Sequence, residues 1–279
     1  MQKRALAVHD ISCVGRCSLT VALPVLSAAG VNTSVVPTAL LSTHTGGFQG
    51  YTHLDLTDQL TPIAEHIATL GLHFDAFYSG YLASENQIDS VLHMIDLLCD
   101  EGTHVFVDPA FADKGKIYAL LEPSIPAQMR RLCARANTIV PNLTEASFLL
   151  GRPYPFGGYD EAFVRSLTLQ LSRLGPENVV VTDISLDENH TGIAVYEKEK
   201  DAFYTMERPR FAGVFHGTGD VLASFLLAAM MGGLPLEEAA SLALDCTHDS
   251  IRLTLEGGEQ LRYGVQFERV LPKLIHALK

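Results

Sequence analysis

The residues best suited to chemistry form the segment Gly217-Thr218-Gly219-Asp220, which precedes an apolar stretch of helical character, Val221–Met231. Two glycines let the backbone turn tightly and leave its amide groups unobstructed. Amides at a helix N-terminus create a positive pocket that suits a phosphoryl group. A carboxylate beside that pocket, such as that of Asp220, can accept a proton from an attacking hydroxyl. A plain glycine turn before a helix has the same appearance, so the segment alone leaves both interpretations open.

Other classes of site are disfavoured. The sequence has no GxxxxGK[ST] element, which excludes a Walker-type phosphate loop. Gly217-Thr218-Gly219 lacks a third glycine and lies near the C-terminus, so a dinucleotide-binding fold is disfavoured. The eleven histidines form no HExxH motif, which argues against catalytic zinc.

The composition favours a soluble globular protein. With 279 residues, 47% of them hydrophobic, the chain can bury a large core. Its formal net charge of −12 argues against a nucleic-acid-binding protein, which needs a basic face. The five cysteines form no CxxC pair, which favours a reduced chain. The apolar runs are too short for a signal peptide or a membrane span. We therefore expect a soluble, cytoplasmic protein with one domain over residues 1–279.

Short β-branched runs alternate with stretches of helical character. Most of these runs are apolar throughout, which suits strands that are covered by helices on both faces. The pattern predicts a three-layer α/β fold with one mostly parallel sheet, in which ligands bind at the carboxyl ends of the strands. The predicted strands are Leu6–Val8, Thr33–Val36, Ala76–Ser79, Val105–Val107, Thr138–Val140 and Val179–Thr182, followed by a hairpin of Gly192–Tyr196 and Ala202–Met206.

Several helix ends can be predicted from capping patterns. Thr61-Pro62 is typical of a cap followed by proline at the first helical position. Ser84 to Gln87 has the spacing of a capping box, and we expect that helix to end at Gly102. The other predicted helices begin at the Thr144 cap and end at Gly151, follow Asp160 and end at Gly175, begin at Gly219 and at Leu236, and span Phe267 to Leu278.

At the level of motifs the chain resembles a known family. Val214 to Asp220, followed by Ala223 and Leu226-Leu227-Ala228, resembles the C-terminal signature of vitamin kinases of the ribokinase superfamily. Further segments resemble the pyridoxal kinase branch, in that family's order along the chain. They are Ser42-Thr43-His44-Thr45-Gly46, Ser79-Gly80-Tyr81, Val107-Asp108-Pro109 with Asp113-Lys114, and Pro141-Asn142-Leu143-Thr144-Glu145-Ala146.

The resemblance implies an ATP-dependent kinase that phosphorylates the 5′-hydroxymethyl group of pyridoxal, pyridoxamine or pyridoxine. Asp220 matches the catalytic base, and the amides of Gly217, Thr218 and Gly219 match the anion hole. The acceptor cleft would include Asp10, Cys17, His44, Thr45 and Tyr81. The nucleotide site would include Asp108, Asp113, Asn142 and Thr182, and the Mg²⁺ site would include Glu145 and Asp108. The resemblance also implies a monovalent cation, such as K⁺, near ATP and a homodimer.

Each matched residue also has a purely structural interpretation. Tyr81 suits an ordinary half-buried tyrosine, and Asp108 can simply end a strand before Pro109. Asn142 and Glu145 have the spacing of a helix cap. His44 is favoured as a hydrogen-bonded core histidine over a ligand.

Some positions depart from the family pattern. Asp10 stands where a serine usually faces the pyridine, although its side chain can also turn toward Arg16. Cys17 occupies a position that is usually apolar, and Val140 and Asp183 replace hydroxyl residues that approach ATP. Two alternatives therefore remain open: a kinase of hydroxymethylpyrimidine, against which the absence of a glycine-rich stretch after the first strand argues, and a ligand-binding protein without turnover.

Overall fold

The computed structural model describes residues 2–156 and 158–279. Nine strands form one sheet in the order β11-β10-β9-β8-β5-β4-β1-β2-β3, and β6 pairs with β7 in a small separate ribbon. The strands are β1 Arg4–Val14, β2 Asn32–Thr43, β3 His53–Asp55, β4 Ala76–Ser79, β5 His104–Val107, β6 Ala112–Asp113, β7 Lys116–Ile117, β8 Thr138–Ile139, β9 Asn178–Ile184, β10 His190–Glu197 and β11 Ala202–Pro209.

The helices connect these strands and cover the sheet. They are α1 Leu19–Ala28, α2 Thr57–Ala68, α3 Glu85–Leu98, α4 Ile125–Cys133, α5 Leu143–Leu149, α6 Glu161–Ser172, α7 Thr218–Met231, α8 Leu236–Gly257 and α9 Leu271–Ala277, with a 3₁₀ turn at Leu261–Tyr263. None of the helices in the described part of the chain is long and apolar enough to cross a membrane.

The sheet is mostly parallel, as the sequence predicts. The six strands from β9 to β2 pair in parallel along the sheet, whereas β3, β10 and β11 pair antiparallel at its edges. Helices α2 to α6 bury their apolar residues against one face. Helices α1, α7, α8 and α9 bury theirs against the other. The predicted three-layer α/β fold is confirmed, and the carboxyl ends of the parallel strands lie along one edge.

All the predicted strands and the hairpin are confirmed, but several helix ends differ from prediction, among them the end of α6, which lies at Ser172 instead of Gly175. Pro62 lies inside α2, which begins a turn earlier where Asp55 accepts the Thr57 backbone N–H at 2.7 Å. Helix α3 stops at Leu98 because Asp100 accepts the Gly102 N–H in a turn, at 2.8 Å. Helix α5 is capped by Asn142, not Thr144, and the last helix starts at Leu271, not Phe267.

Candidate active site

The Gly217–Asp220 segment forms the N-terminus of α7, at the edge where the parallel strands end. Gly217 is the N-cap residue and has φ 73°, and a Cβ there would collide with the carbonyl oxygen of Arg16. Gly219 has open space where its Cβ would be. The first turn of a helix leaves its backbone N–H groups without helical partners. This turn therefore presents amides to an open face, as a phosphate-binding site requires.

Asp220, in the first turn of α7, has the electrostatic properties of a general base. Although the residue is only partly buried overall, desolvation of its carboxyl raises its pKa to about 7. The nearby carboxylate of Asp10 raises this pKa further, and a hydrogen bond from the backbone N–H of Ser18 opposes the shift. A carboxylate with a pKa near neutrality is a stronger proton acceptor than an exposed aspartate.

Asp10 and Cys17 lie next to Asp220. The pairing register of β1 and β2 shifts between His9 and Ile11, so Asp10 sits at a β-bulge. Its buried carboxylate accepts the hydroxyl of Ser18 at 2.6 Å, and burial raises its pKa. Asp10 does not turn toward Arg16, which instead pairs with Glu259 and Glu268. Burial, with Asp220 and Asp10 nearby, raises the pKa of the Cys17 thiol, which is therefore protonated at neutral pH.

The remaining acceptor-cleft candidates differ in exposure. Tyr81 is half-buried, and burial together with the Asp10 carboxylate raises its pKa to about 12. Thr45 is exposed on the loop after β2. His44 is buried, with Nε2 2.6 Å from the Arg262 carbonyl oxygen and Nδ1 accepting the Gly46 N–H at 3.1 Å. His44 is thus the hydrogen-bonded histidine that its structural interpretation predicts.

Two further acidic residues, Asp108 and Glu145, lie near the carboxyl ends of β5 and β8. Asp108 is buried, and desolvation followed by the charge of Asp220 raises its pKa well above the usual range. Glu145 is also buried, and desolvation followed by the charge of Asp108 raises its pKa in the same direction. The carboxyls of Asp220, Asp108 and Glu145 therefore lie close enough for the charge of one to raise the pKa of the next.

Asn142 and Glu145 form the helix cap that their spacing predicts. The Asn142 side chain accepts the N–H groups of Thr144 at 2.8 Å and Glu145 at 3.0 Å, and it donates to the Ala112 carbonyl at 2.7 Å. Glu145 accepts the backbone N–H groups of Asn142 at 2.8 Å and Phe111 at 3.0 Å. Both side chains therefore fasten the segment after Asp108 to α5, whatever else they contact.

The acidic residues fit a magnesium ion. Asp108 and Glu145 supply hard oxygen atoms whose mutual repulsion a divalent cation would relieve. Among residues 2–156 and 158–279, no three His, Cys, Asp or Glu side chains converge as a complete metal site. Asp108 and Glu145 are the residues that could hold Mg²⁺, which usually keeps several waters and binds one or two carboxylates together with substrate phosphates.

The other nucleotide-site candidates lie near one cavity. Thr182 in β9 forms an isolated parallel bridge with Asn142, which brings these two predicted residues together. Asp113 is exposed in β6, and its carboxylate lies 3.7 Å from Lys114 Nζ. The residues that follow Asp113 and Thr182 in the chain, Lys114 and Asp183, line a cavity of about 380 Å³. Its other lining residues are Tyr154, Pro155, Phe156, Gly158, Tyr159, Ser185 and Arg210.

Sequence reasoning missed two features of this site. Arg210 follows β11 and lines the cavity together with Lys114, but no pattern in the sequence marks it as a phosphate partner. Ser18 donates its hydroxyl to Asp10, in a turn that packs against the end of α7 that carries Asp220. It has the sequence signal of an ordinary helix cap, and only the fold brings it between the two carboxylates.

A family model described as phosphomethylpyrimidine kinase matches residues 21–264. The chain belongs to this family. A crystal structure of a Bacteroides thetaiotaomicron protein, provisionally named a phosphomethylpyrimidine kinase and solved in a form with pyridoxal, is 34% identical, with a TM-score of 0.93 over 98% of this chain and 96% of that chain. Pyridoxal kinase from Lactobacillus plantarum is 28% identical, with a TM-score of 0.90 over 99% of this chain and 98% of that one.

Relatives of this family differ in their named acceptor. A hydroxymethylpyrimidine/phosphomethylpyrimidine kinase of Mycobacterium leprae is 24% identical over 90% of this chain and 90% of its own length. The predicted membership of the ribokinase superfamily, among relatives of pyridoxal kinases, is confirmed. The family is one of kinases, and its members are named for two heteroaromatic acceptors.

Proposed function

We propose that this chain is an ATP-dependent kinase that phosphorylates the 5′-hydroxymethyl group of pyridoxal, pyridoxamine or pyridoxine. The observation that carries the proposal is Asp220, a carboxyl with a pKa of about 7 at the amide-rich N-terminus of α7, next to Asp10. A base and an anion-binding turn on one helix end are what in-line phosphoryl transfer to an alcohol requires.

In the proposed reaction the acceptor's hydroxyl oxygen attacks the γ-phosphorus of ATP. Asp220 takes the hydroxyl proton as the new oxygen–phosphorus bond forms. The bond between the γ-phosphorus and the β–γ bridging oxygen breaks at the same time, and ADP leaves with that oxygen. The amides of Gly217, Thr218 and Gly219 stabilise the charge on the transferring group. Little covalent chemistry is asked of the protein, so positioning and charge stabilisation account for the rate.

The two substrates would occupy neighbouring positions along the carboxyl ends of the parallel strands. The acceptor would lie near Asp10, Cys17, Thr45 and Tyr81, with His44 fixing the loop that carries Thr45. The polyphosphate would lie near Thr182 and Asp113, with Lys114 and Arg210 supplying positive charge from the cavity beside them.

The roles of the acidic residues follow from their contacts. Asp108 and Glu145 would hold Mg²⁺, which supplies charge neutralisation to the polyphosphate when bound. Asn142 would keep the segment after Asp108 in place through its bond to Ala112. The homodimer and the monovalent cation, which the resemblance implies, remain predictions. The cytoplasmic location, which the composition favours, also remains a prediction.

A second candidate function is phosphorylation of hydroxymethylpyrimidine or its phosphate. The family description and the Mycobacterium leprae relative favour it. The pyridoxal in the Bacteroides thetaiotaomicron crystal form favours the B6 vitamers instead. Both acceptors offer a hydroxymethyl group on a heteroaromatic ring, so the chemistry at Asp220 is the same for each.

An acceptor panel tests the proposal. ADP formation is measured with purified protein, Mg·ATP and, in turn, pyridoxal, pyridoxamine, pyridoxine, hydroxymethylpyrimidine and its phosphate, and each phosphorylated product is identified by mass. We expect kcat/KM for at least one B6 vitamer to exceed that for both pyrimidines by about tenfold or more, a difference of about 1.4 kcal/mol. A higher value for a pyrimidine would favour the second function, and the absence of any acceptor-dependent ADP would contradict both.

A further inference from the structure

Ser18 occupies an unusual place in the backbone. It is the N-cap residue of α1, yet it has φ 48° and ψ −128° and its side chain makes no capping bond. A left-handed φ is uncommon for a residue with a Cβ, and such strain persists only where surrounding contacts hold it. Ser18 is also buried, with only 6% of its surface exposed. Its hydroxyl is therefore free of the usual capping role and available for another partner.

The turn that carries Ser18 touches two elements with carboxylates, β1 with Asp10 and α7 with Asp220. The Ser18 hydroxyl donates to Asp10 Oδ1 on β1 at 2.6 Å. The backbone of the same turn packs against the N-terminus of α7, where a Cβ at Gly217 would collide with the Arg16 carbonyl oxygen and lie 3.7 Å from the Cys17 Cα. The side chain of Ser18 thus holds Asp10, while the backbone of its turn supports the helix end that carries the proposed base. These contacts also explain why the hydroxyl leaves the helix uncapped.

Two desolvated carboxylates in one small site repel each other unless something holds them apart. Hydrogen bonds from donors aimed at a carboxylate stabilise the charged form and fix its orientation. Ser18 supplies such a donor to Asp10, and its left-handed backbone sets the direction of that bond. The turn is anchored from outside, because the neighbouring Arg16 pairs with Glu259 at 2.8 Å and with Glu268 at 2.7 Å.

We infer that Ser18 is a positioning residue for Asp220: its hydroxyl ties Asp10 to the turn on which the N-terminus of α7 packs, and in this way it holds the base in line with the acceptor hydroxyl. The inference rests on the proposed function, because it concerns the base of that reaction. Without the Ser18 hydroxyl, the Asp10 carboxylate loses a hydrogen bond beside a second negative charge. The backbone at Ser18 can then relax from its left-handed φ even though Arg16 remains anchored, and the end of α7 that packs on this turn shifts with it.

A double-mutant cycle tests the connection. The variants are Ser18→Ala, Asp10→Ser and the two together, with Ser27→Ala on the exposed end of α1 as the matched control. We expect Ser18→Ala to lower kcat about tenfold or more, since small misplacements of catalytic groups cost up to about 10² in rate. The KM for ATP should stay within about twofold, because Ser18 lies outside the cavity that contains Lys114 and Arg210.

The double variant gives the decisive comparison. Asp10→Ser removes the charge that Ser18 compensates, so adding it to Ser18→Ala should restore part of the lost kcat. Multiplicative effects of the two single substitutions on kcat, or a Ser18→Ala kcat within about twofold of the parent, would overturn the inference. Ser18→Gly separates the hydroxyl from backbone strain, since glycine adopts the left-handed φ freely. A parent-like kcat in Ser18→Gly would also overturn it.

The same variants distinguish this inference from the proposed function. If the parent phosphorylates no acceptor, the proposed function is wrong, and the cycle is measured as melting temperatures of the ligand-free proteins. There we expect Ser18→Ala to lower the melting temperature and Asp10→Ser to recover part of the loss. Additive melting temperatures would show that Ser18 and Asp10 are not coupled, which would contradict the inference independently of activity.

Discussion

Asp220 combines partial exposure of the residue with a desolvated carboxyl. Burial alone would keep the carboxyl protonated, and full exposure would leave it a weak base. The Ser18 N–H opposes the effects of burial and of Asp10, so that the pKa stays at about 7. The sequence could identify Asp220 from its position after two glycines. The groups that tune it come from β1 and the turn before α1, and their proximity follows only from the fold.

At Asp220 the expected effect of substitution is on turnover. Asp220→Asn should lower kcat by roughly 10²–10⁴-fold, the usual contribution of a positioned base. The amide has nearly the same shape and can still accept the Ser18 N–H, so the KM values should change little. Asp160→Asn, at the N-cap of α6, is the matched control and keeps an acceptor for the Phe163 N–H. A turnover of Asp220→Asn within a few-fold of the parent would contradict the base assignment.

The pH dependence of turnover depends on the same group. A base works only when deprotonated, so kcat/KM should fall as the pH drops below about 7, the pKa of Asp220. An exposed aspartate, with a pKa near 4, would leave the rate constant down to about pH 5. The measurement is kcat/KM from pH 5 to 9 with one acceptor. A flat profile between pH 5 and 7 would show that no group with a raised pKa controls the step.

At the scale of elements, the two glycines at the N-terminus of α7, Gly217 and Gly219, have different roles. Gly217 has φ 73° and packs on the Arg16 carbonyl, so Gly217→Ala should lower both the melting temperature and kcat. Gly219 has open space around its Cβ position, so Gly219→Ala should fold normally. Its methyl group would crowd the phosphoryl site and lower kcat alone. Melting curves and kcat for both variants test this, and equal melting losses would contradict the assignment.

The cap of α5 links folding to the metal site. Glu145 accepts three backbone N–H groups, including that of Ala112 at 3.3 Å. In Glu145→Gln the amide group replaces one accepting oxygen, which should cost about 1–3 kcal/mol and lower the melting temperature by several degrees. The same substitution should raise the Mg²⁺ concentration for half-maximal rate.

Glu161→Gln, in the exposed first turn of α6, is the matched control for Glu145→Gln and should change neither quantity. A lowered melting temperature with an unchanged Mg²⁺ titration would leave Glu145 with the capping role alone.

The elements themselves were predicted with uneven success, for physical reasons. Buried parallel strands are apolar throughout, so runs such as Val105–Val107 can be recognised from sequence alone. The sequence pattern misses helices α1 and α4, and in α1 the interior residue Pro24 argues against a helix. Capping contacts that depend on distant segments, such as Asn142 with Ala112, cannot be derived from local spacing. The same applies to the site, where predicted residues meet partners from other strands.

For the whole molecule, the fold places several buried acids along one edge of a chain whose formal net charge is already −12. Burial raises the pKa of Asp10, Asp108, Glu145 and Asp220 alike. Such a charge distribution costs stability in the ligand-free protein. This loss of stability suits a site that binds a cation first and a polyphosphate second, because the cation offsets the repulsion between the carboxylates before the polyphosphate binds.

The linkage between these acids and Mg²⁺ gives a test on the ligand-free protein. A carboxyl whose folded pKa is raised contributes stability that is fully present below its unfolded pKa, near 4, and is lost as the pH rises to its folded pKa. Raising the pH through this window ionises Asp108 and Glu145, and only the ionised carboxylates bind Mg²⁺. Mg²⁺ without nucleotide should therefore raise the melting temperature more at pH 8 than at pH 6.

The size of this shift can be estimated. At Mg²⁺ ten times above its Kd the stabilisation is about 1.4 kcal/mol, or about 3–6 °C. Asp108→Asn removes a carboxylate from the pair and should shrink the Mg²⁺-induced shift at pH 8, whereas Asp58→Asn, on the exposed first turn of α2, should not. A shift of the same size at both pH values, or one that survives in Asp108→Asn, would place the cation elsewhere.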